Sequence, residues 1–189
     1  MKSYIERGQS CTRRNWLRLL FLCACLSAIF VPSIHAQRDE RAVRAAYVYH
    51  LTQYVSWPNS HSDLTICSLG EKKNTSTLQQ VLNNKSTDNR KLHVVLNPSE
   101  QELQHCDILY IADSSRSHVR SILDKARSRG ILSVGDDDAF MQAGGMVGLV
   151  RSGDQIIIKV NLDEVRAGGL RISSRLLDLA VIVHTKKGG

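Results

Sequence analysis

Short apolar runs alternate with helix-like segments between residues 64 and 134, and this order constrains the fold more than any other feature. Strands that alternate with helices at this spacing predict a mainly parallel sheet covered by helices on both faces. The fold class is therefore expected to be α/β, in a single domain. The four predicted strands are Leu64–Leu69, Leu92–Leu96, Asp107–Ala112 and Ile131–Val134.

A helix is predicted between the third and fourth of these strands. Ser114 or Ser115 is expected to cap it, and Gly130 to close it. Its apolar residues recur at helical spacing, which predicts one buried face. They are Val119, Ile122, Leu123 and Ala126.

The C-terminal part of the chain predicts a hairpin followed by a last helix. The apolar runs Met146–Val150 and Gln155–Leu162 are separated by a Ser-Gly-Asp turn, which is typical of two paired strands. Ser173 or Ser174 can then cap a helix. The apolar face expected for that helix consists of Leu176, Leu177, Ala180 and Val183.

The mature chain is expected to begin with an amphipathic helix from Asp39 to Val55, which Trp57-Pro58 ends. Glu40 and Arg44 are four residues apart and are expected to pair on the outer face of this helix.

Residues 1–36 have the three parts of a cleaved secretory signal. Basic residues precede the apolar run Leu19–Val31, and Ile34-His35-Ala36 ends in a small residue suited to cleavage before Gln37. A membrane anchor is the alternative, but the run is shorter than the roughly 20 residues that span a bilayer. A lipoprotein at Cys25 is a second alternative, in a poor sequence context. The expected location is the periplasm, with residues 37–189 forming the domain.

The leader carries much of the positive charge, so its removal lowers the formal net charge from +7 to +3. This weakens the case for nucleic-acid binding, which needs a clustered basic face. Arg116, Arg120 and Arg127 lie near one predicted helical face, which we interpret as solvated. No nucleic-acid partner is therefore expected.

Cys67 and Cys106 are the two cysteines that remain after the leader is removed. An even pair in an exported protein favours a disulfide, and two buried free thiols are the alternative. No CxxC, CxxH or HxxxH spacing accompanies either cysteine, so the sequence indicates no metal site there.

Polar residues follow the predicted strands at their carboxyl ends, where ligands bind in open α/β sheets. Asp136-Asp137-Asp138 could hold a divalent cation or cap the short helix Ala139–Gln142, and capping is favoured. GxGxxG, P-loop and GxSxG motifs are missing from the sequence. The sequence therefore predicts neither a cofactor nor catalysis.

Several weak motifs in one order resemble the YfiR family. They are Ala45–His50, Val55–Pro58, Leu64–Gly70, Gly144–Leu149, Asn161–Asp163 and Ile172–Leu177. The resemblance implies a periplasmic repressor of the membrane diguanylate cyclase YfiN, which an outer-membrane lipoprotein, YfiB, can sequester. It also suggests a bridge between Cys67 and Cys106. A homodimer is an open possibility.

A partner-binding surface is predicted between Lys159 and Arg171, the region that the resemblance also indicates for repression. Lys159 interrupts an apolar strand, so it is expected at an accessible edge or paired with an acid such as Asp163 or Glu164. An acidic residue is expected at this position in relatives, so the partner's charge can differ here.

Val165 and Leu170 flank Gly168-Gly169 and are expected to be exposed beside Arg166 and Arg171. The alternative is that both apolar residues pack under the last helix. A second function also stays open, that of a solute-binding sensory domain with its pocket at the strand ends.

Overall fold

The computed structural model describes residues 34–58, 63–112 and 118–184, with side chains from residue 40 onward. The chain separates into two compact units, Met1–Gln37 and Arg38–Gly189, and the fold given below belongs to the second. The predicted signal peptide lies outside the described residues except for its last three, and so does Cys25. Ser114, Ser115 and Arg116 also lie outside them.

A mostly parallel sheet with strand order β10-β8-β7-β6-β5-β2-β4-β3 forms the centre of the described fold, as the alternation of elements predicts. A separate small sheet pairs β1 with β9. The strands are β1 Val55–Ser56, β2 Leu64–Leu69, β3 Ser86–Thr87, β4 Arg90–Leu96, β5 Ile108–Ile111, β6 Leu132–Gly135, β7 Val147–Ser152, β8 Gln155–Asn161, β9 Arg171–Ile172 and β10 Val181–Val183.

Helices cover both faces of the sheet, and each face has its own apolar core. The helices are α1 Ile34–Tyr54, α2 Lys72–Leu82, α3 Glu100–Leu103, α4 Val119–Ser128, α5 Asp138–Gln142, α6 Leu162–Ala167 and α7 Ser174–Leu177. The first core contains residues of α1, α2, α6 and α7, and the second contains residues of α3, α4 and α5. Alternate residues of β2 show the division, because Ile66 packs in the first core and Cys67 in the second.

A disulfide joins Cys67 of β2 to Cys106, which precedes β5. Their Cα atoms are 5.8 Å apart, and both residues are buried in the second core. The bridge therefore crosslinks two neighbouring parallel strands of the sheet near the middle of its strand order.

The predicted C-terminal hairpin is present, because β7 and β8 pair antiparallel around Gly153, whose φ is +61°. The predicted last helix is present and is capped by Ser173, but its predicted extension to Val183 is wrong. Helix α7 ends at Leu177, and Val181–Val183 forms β10, parallel to β8. Three consecutive β-branched residues favour a strand, and the outer edge of β8 offers them backbone partners.

The outward placement of Glu40 and Arg44 is also wrong. The pair forms at 2.7 Å, but its side chains are only 17% and 12% exposed. Arg44 Nε donates to the carbonyl of Leu149, and the second oxygen of Glu40 binds Arg151. The pair thus attaches the start of α1 to the β7–β8 hairpin.

Candidate functional site

Lys159 lies in β8, between β7 and β10, so it is not on an edge strand. Its ammonium lies 2.6 Å from Asp138 Oδ1, and a quarter of its side chain is exposed. The expected pairing with an acid is therefore present, but the partner is Asp138, the first residue of α5, and not Asp163 or Glu164. The sequence alone does not indicate this contact, because Asp138 and Lys159 are 21 residues apart in the chain. Asp138 follows β6 and reaches Lys159 only when the sheet brings α5 over β8.

Val165 and Leu170 are buried in the first core, with relative exposures of 1% and 2%. The expectation that they form an exposed apolar surface is wrong, and the alternative that both are buried is correct. Gly169, with a φ of +72°, turns the chain after α6, and Leu170 N donates to the carbonyl of Val165. This turn returns Leu170 beneath the helix, next to the short strand β9.

Arg166 and Arg171 are exposed, as predicted, but Arg171 belongs to a different sheet from Lys159. Arg171 belongs to β9, which pairs with Ser56 of β1 in the small separate sheet. Arg166 lies in the last turn of α6, a position where a cation is stabilised by the helix dipole. The predicted surface therefore divides into a basic part around α6 and β9 and a part around Lys159.

A cavity of about 480 Å³ opens beside Lys159. The Lys159–Asp138 ion pair belongs to its wall, and His184 Nδ1 lies 3.0 Å from Asp163 Oδ2 at its margin. A polar side chain or a small charged group could enter here and compete for the ion pair. The lining residues are Asp138, Met141, Gln142, Lys159, Asn161, Val183 and His184.

Next to this cavity, exposed apolar side chains lie in β10 and just before it, in a stretch for which the sequence pattern predicted a helix. Leu179, Val181 and Ile182 are 74%, 48% and 37% exposed. Val183 of the same strand lines the cavity. The run Val181-Ile182-Val183 is the sequence signal that could have revealed them, since such a run favours a strand at a sheet edge. We name Lys159, Asp138, Leu179 and Val181 the edge surface. Ile182 is not part of it, because it pairs with Val160 and therefore lies on the face opposite to Lys159.

The triple Asp caps α5, as the sequence analysis favoured. Asp137 Oδ1 accepts a hydrogen bond from Phe140 N at 2.7 Å, and Asp138 pairs with Lys159.

Burial raises the pKa of the Tyr110 hydroxyl, and the charge of Asp136 raises it further. Within the described parts of the chain, His, Cys, Asp and Glu side chains form no group of three that could hold a metal ion.

A larger cavity, of about 610 Å³, lies at the opposite end of the strands. Its lining includes Thr65 at the start of β2, Asp107 just before β5 and Gly130 just before β6. These are amino ends, so this cavity is not at the carboxyl ends where the sequence analysis expected a pocket. The other lining residues are Trp57, Pro58, Asp63, Gln104, His105, Cys106, Ser128, Arg129 and Gly168.

Comparison with known proteins supports both the family and the fold. A model of the protein family described as YfiR/HmsC-like matches residues 41–181. No curated protein matches the sequence. Among residues 34–58, 63–112 and 118–184, no helix is long and apolar enough to cross a membrane.

Two solved structures are similar in fold. One is described as the ABC domain in complex with L-Trp from Streptococcus pneumonia, with 13% identity and a TM-score of 0.52, covering 76% of this chain. The other is described as a conserved domain protein from Vibrio cholerae, with 12% identity and a TM-score of 0.53, covering 75% of this chain. The chain spans 60% of the length of each of these two structures. At such identities the likeness shows an α/β fold alone.

Proposed function

Because the chain belongs to the YfiR/HmsC-like family, we propose that it is a periplasmic protein that binds an inner-membrane diguanylate cyclase and represses it. At the level of the family, membership supports a periplasmic regulator of such a cyclase. The family match over residues 41–181 is the observation that carries the proposal. The partner resembles YfiN, and the protein acts by binding and without catalysis.

The edge surface and the basic residues Arg166 and Arg171 support two contact regions for this partner. The edge surface combines the partly exposed Lys159–Asp138 ion pair with the exposed apolar side chains of Leu179 and Val181. This composition suits a protein interface. Arg166 and Arg171 are exposed and can meet an acidic surface. Val165 and Leu170 contribute by holding α6 and β9 in place from within the core.

Release from repression is proposed to follow the family pattern. An outer-membrane lipoprotein that resembles YfiB would sequester the repressor and free the cyclase. Secretion by the predicted signal peptide would deliver the domain to the compartment where both partners expose their periplasmic parts. A homodimer is compatible with this scheme but is not needed for it.

The test is a deletion strain in which cyclic di-GMP and surface attachment are measured after complementation. Deletion is expected to raise both, and the wild-type gene to restore them. Lys159→Glu places an acid beside Asp138, so it should break the ion pair and weaken repression. The exchange Lys159→Asp with Asp138→Lys keeps both charges and should recover more repression than Lys159→Glu.

Lys73→Glu is the matched control, because Lys73 forms an ion pair with Glu71 on a different and well-exposed part of the chain. It should repress like the wild type. Unchanged cyclic di-GMP on deletion, in cells that express the cyclase, would contradict the proposed function. Full repression by a folded Lys159→Glu variant would remove the edge surface from the interface while leaving the function intact.

A further inference from the structure

The larger cavity lies at the amino ends of β2, β5 and β6, and its lining carries two carboxylates as well as His105 and Arg129. Asp63 and Asp107 both line it. The hydrogen bond from His93, with a smaller contribution from the backbone N–H of Lys91, lowers the pKa of Asp63, so this carboxyl is ionised at neutral pH. Asp107 Oδ2 accepts a hydrogen bond from Thr65 N at 2.7 Å.

Three helices end at this cavity. Ser128 and Arg129, at the end of α4, belong to the lining. Gln104 follows α3 and Gly168 follows α6, and both line the cavity as well. The C-terminal end of a helix carries partial negative charge, so it attracts cations and disfavours anions.

An apolar wall faces these charges. Trp57 and Pro58 line the cavity, and the indole is fixed because Trp57 Nε1 donates to the carbonyl of Asp107 at 3.0 Å. Aromatic faces attract alkylammonium groups and also pack against methylene chains. Arg129 is the one guanidinium among the described lining residues, and it is exposed at the rim.

We propose that this cavity binds a small aliphatic diamine or polyamine. Its volume lies within the range of small-molecule sites. Two ammonium groups would meet Asp63 and Asp107, and the methylene chain would lie against Trp57 and Pro58. Arg129 opposes the ligand's charge. The inference goes beyond the proposed regulation of a cyclase and does not rest on it.

Isothermal titration of the mature protein with spermidine tests the proposal, with glutarate as an anion of similar length. Spermidine should bind with one-to-one stoichiometry, and glutarate should not bind. Asp63→Asn should weaken spermidine binding about two- to fivefold, which is what an ion pair of this exposure contributes. Arg129→Ala should strengthen it by a similar factor, because it removes the opposing charge.

Asp154→Asn is the control for net charge, since Asp154 is exposed in the β7–β8 turn, away from the cavity lining. It should leave the affinity unchanged. An equal effect of Asp63→Asn and Asp154→Asn would overturn the proposal, because only general attraction would remain. Binding of glutarate in place of spermidine, or no binding of spermidine, would also overturn it. Arg129→Ala keeps the test decisive if Asp63→Asn fails to fold, and the cyclic di-GMP measurements remain independent of either result.

Discussion

Gly145 follows α5, and its replacement by alanine should strongly destabilise the protein. A Cβ atom built on Gly145 would lie 2.0 Å from Phe140 Cε1 and 2.3 Å from Cδ1. Carbon atoms in contact normally lie about 3.5–4.0 Å apart, so the ring would have to move by roughly 1.5 Å. Phe140 cannot retreat towards the sheet, because a Cβ on Gly135 would already lie 2.2 Å from its Cγ. The ring is fully buried between two glycines.

Overpacking a core typically costs about 1–3 kcal/mol and occasionally more. Since the ring is blocked on two sides, we expect Gly145→Ala to lower the free energy of unfolding by about 3 kcal/mol. Urea denaturation of residues 37–189, followed by far-UV circular dichroism, measures this change. In a protein of this size the midpoint of thermal unfolding should fall by about 2–4 °C for each kcal/mol.

Two other glycines provide matched controls. A Cβ on Gly148 would lie 2.7 Å from Met141 Sδ, but a methionine side chain is flexible and can adjust, so Gly148→Ala should cost less. Gly153 has open space around it and a φ of +61°, so Gly153→Ala should cost only the conformational strain, about 1–2 kcal/mol.

A double variant separates the clash with Phe140 from any other effect. Phe140→Leu alone should destabilise by leaving space in the core. Combined with Gly145→Ala it should destabilise less than the sum of the two single changes, with a coupling of about 1–3 kcal/mol. Additive effects, or a Gly145→Ala variant as stable as Gly148→Ala, would refute the reasoning.

Two further changes test the architecture. The double variant Cys67→Ala and Cys106→Ala removes a crosslink between residues 39 apart and should lower the free energy of unfolding by about 4 kcal/mol. A reductant should not change the unfolding of this variant. If a reductant also left the unfolding of the wild-type protein unchanged, the proposed role of the bridge would be contradicted. Glu40→Gln breaks the contacts with Arg44 and Arg151 and should cost about 1–2 kcal/mol, because Arg44 is mostly buried. Glu71→Gln, at an exposed pair with Lys73, should cost less than about 0.5 kcal/mol in the same urea assay, and equal costs for the two variants would show that the buried contacts add nothing.

The local sequence pattern was enough to predict the elements whose residues are buried to a similar degree along their whole length. Strands β2, β5 and β6 were predictable because buried parallel strands form continuous apolar runs between turns. The cap of α5 by Asp137 was predictable for a related reason, since the side chain bonds a backbone group only three residues away. The cysteine pair was also favoured in advance, because the chain that remains after the predicted signal peptide has two cysteines and so offers a single intramolecular pairing.

Tertiary structure decided the features that depend on contacts between distant residues. Helical spacing and a strand both suit the residues after Leu177, and only the free edge of β8 made Val181–Val183 a strand. Lys159 pairs with Asp138 because the order of strands brings α5 over β8. Leu170 is buried because Gly169 turns it beneath α6, a conformation that two adjacent glycines permit but do not require. The amino-end cavity depends on where three helices end in space, which no sequence spacing encodes.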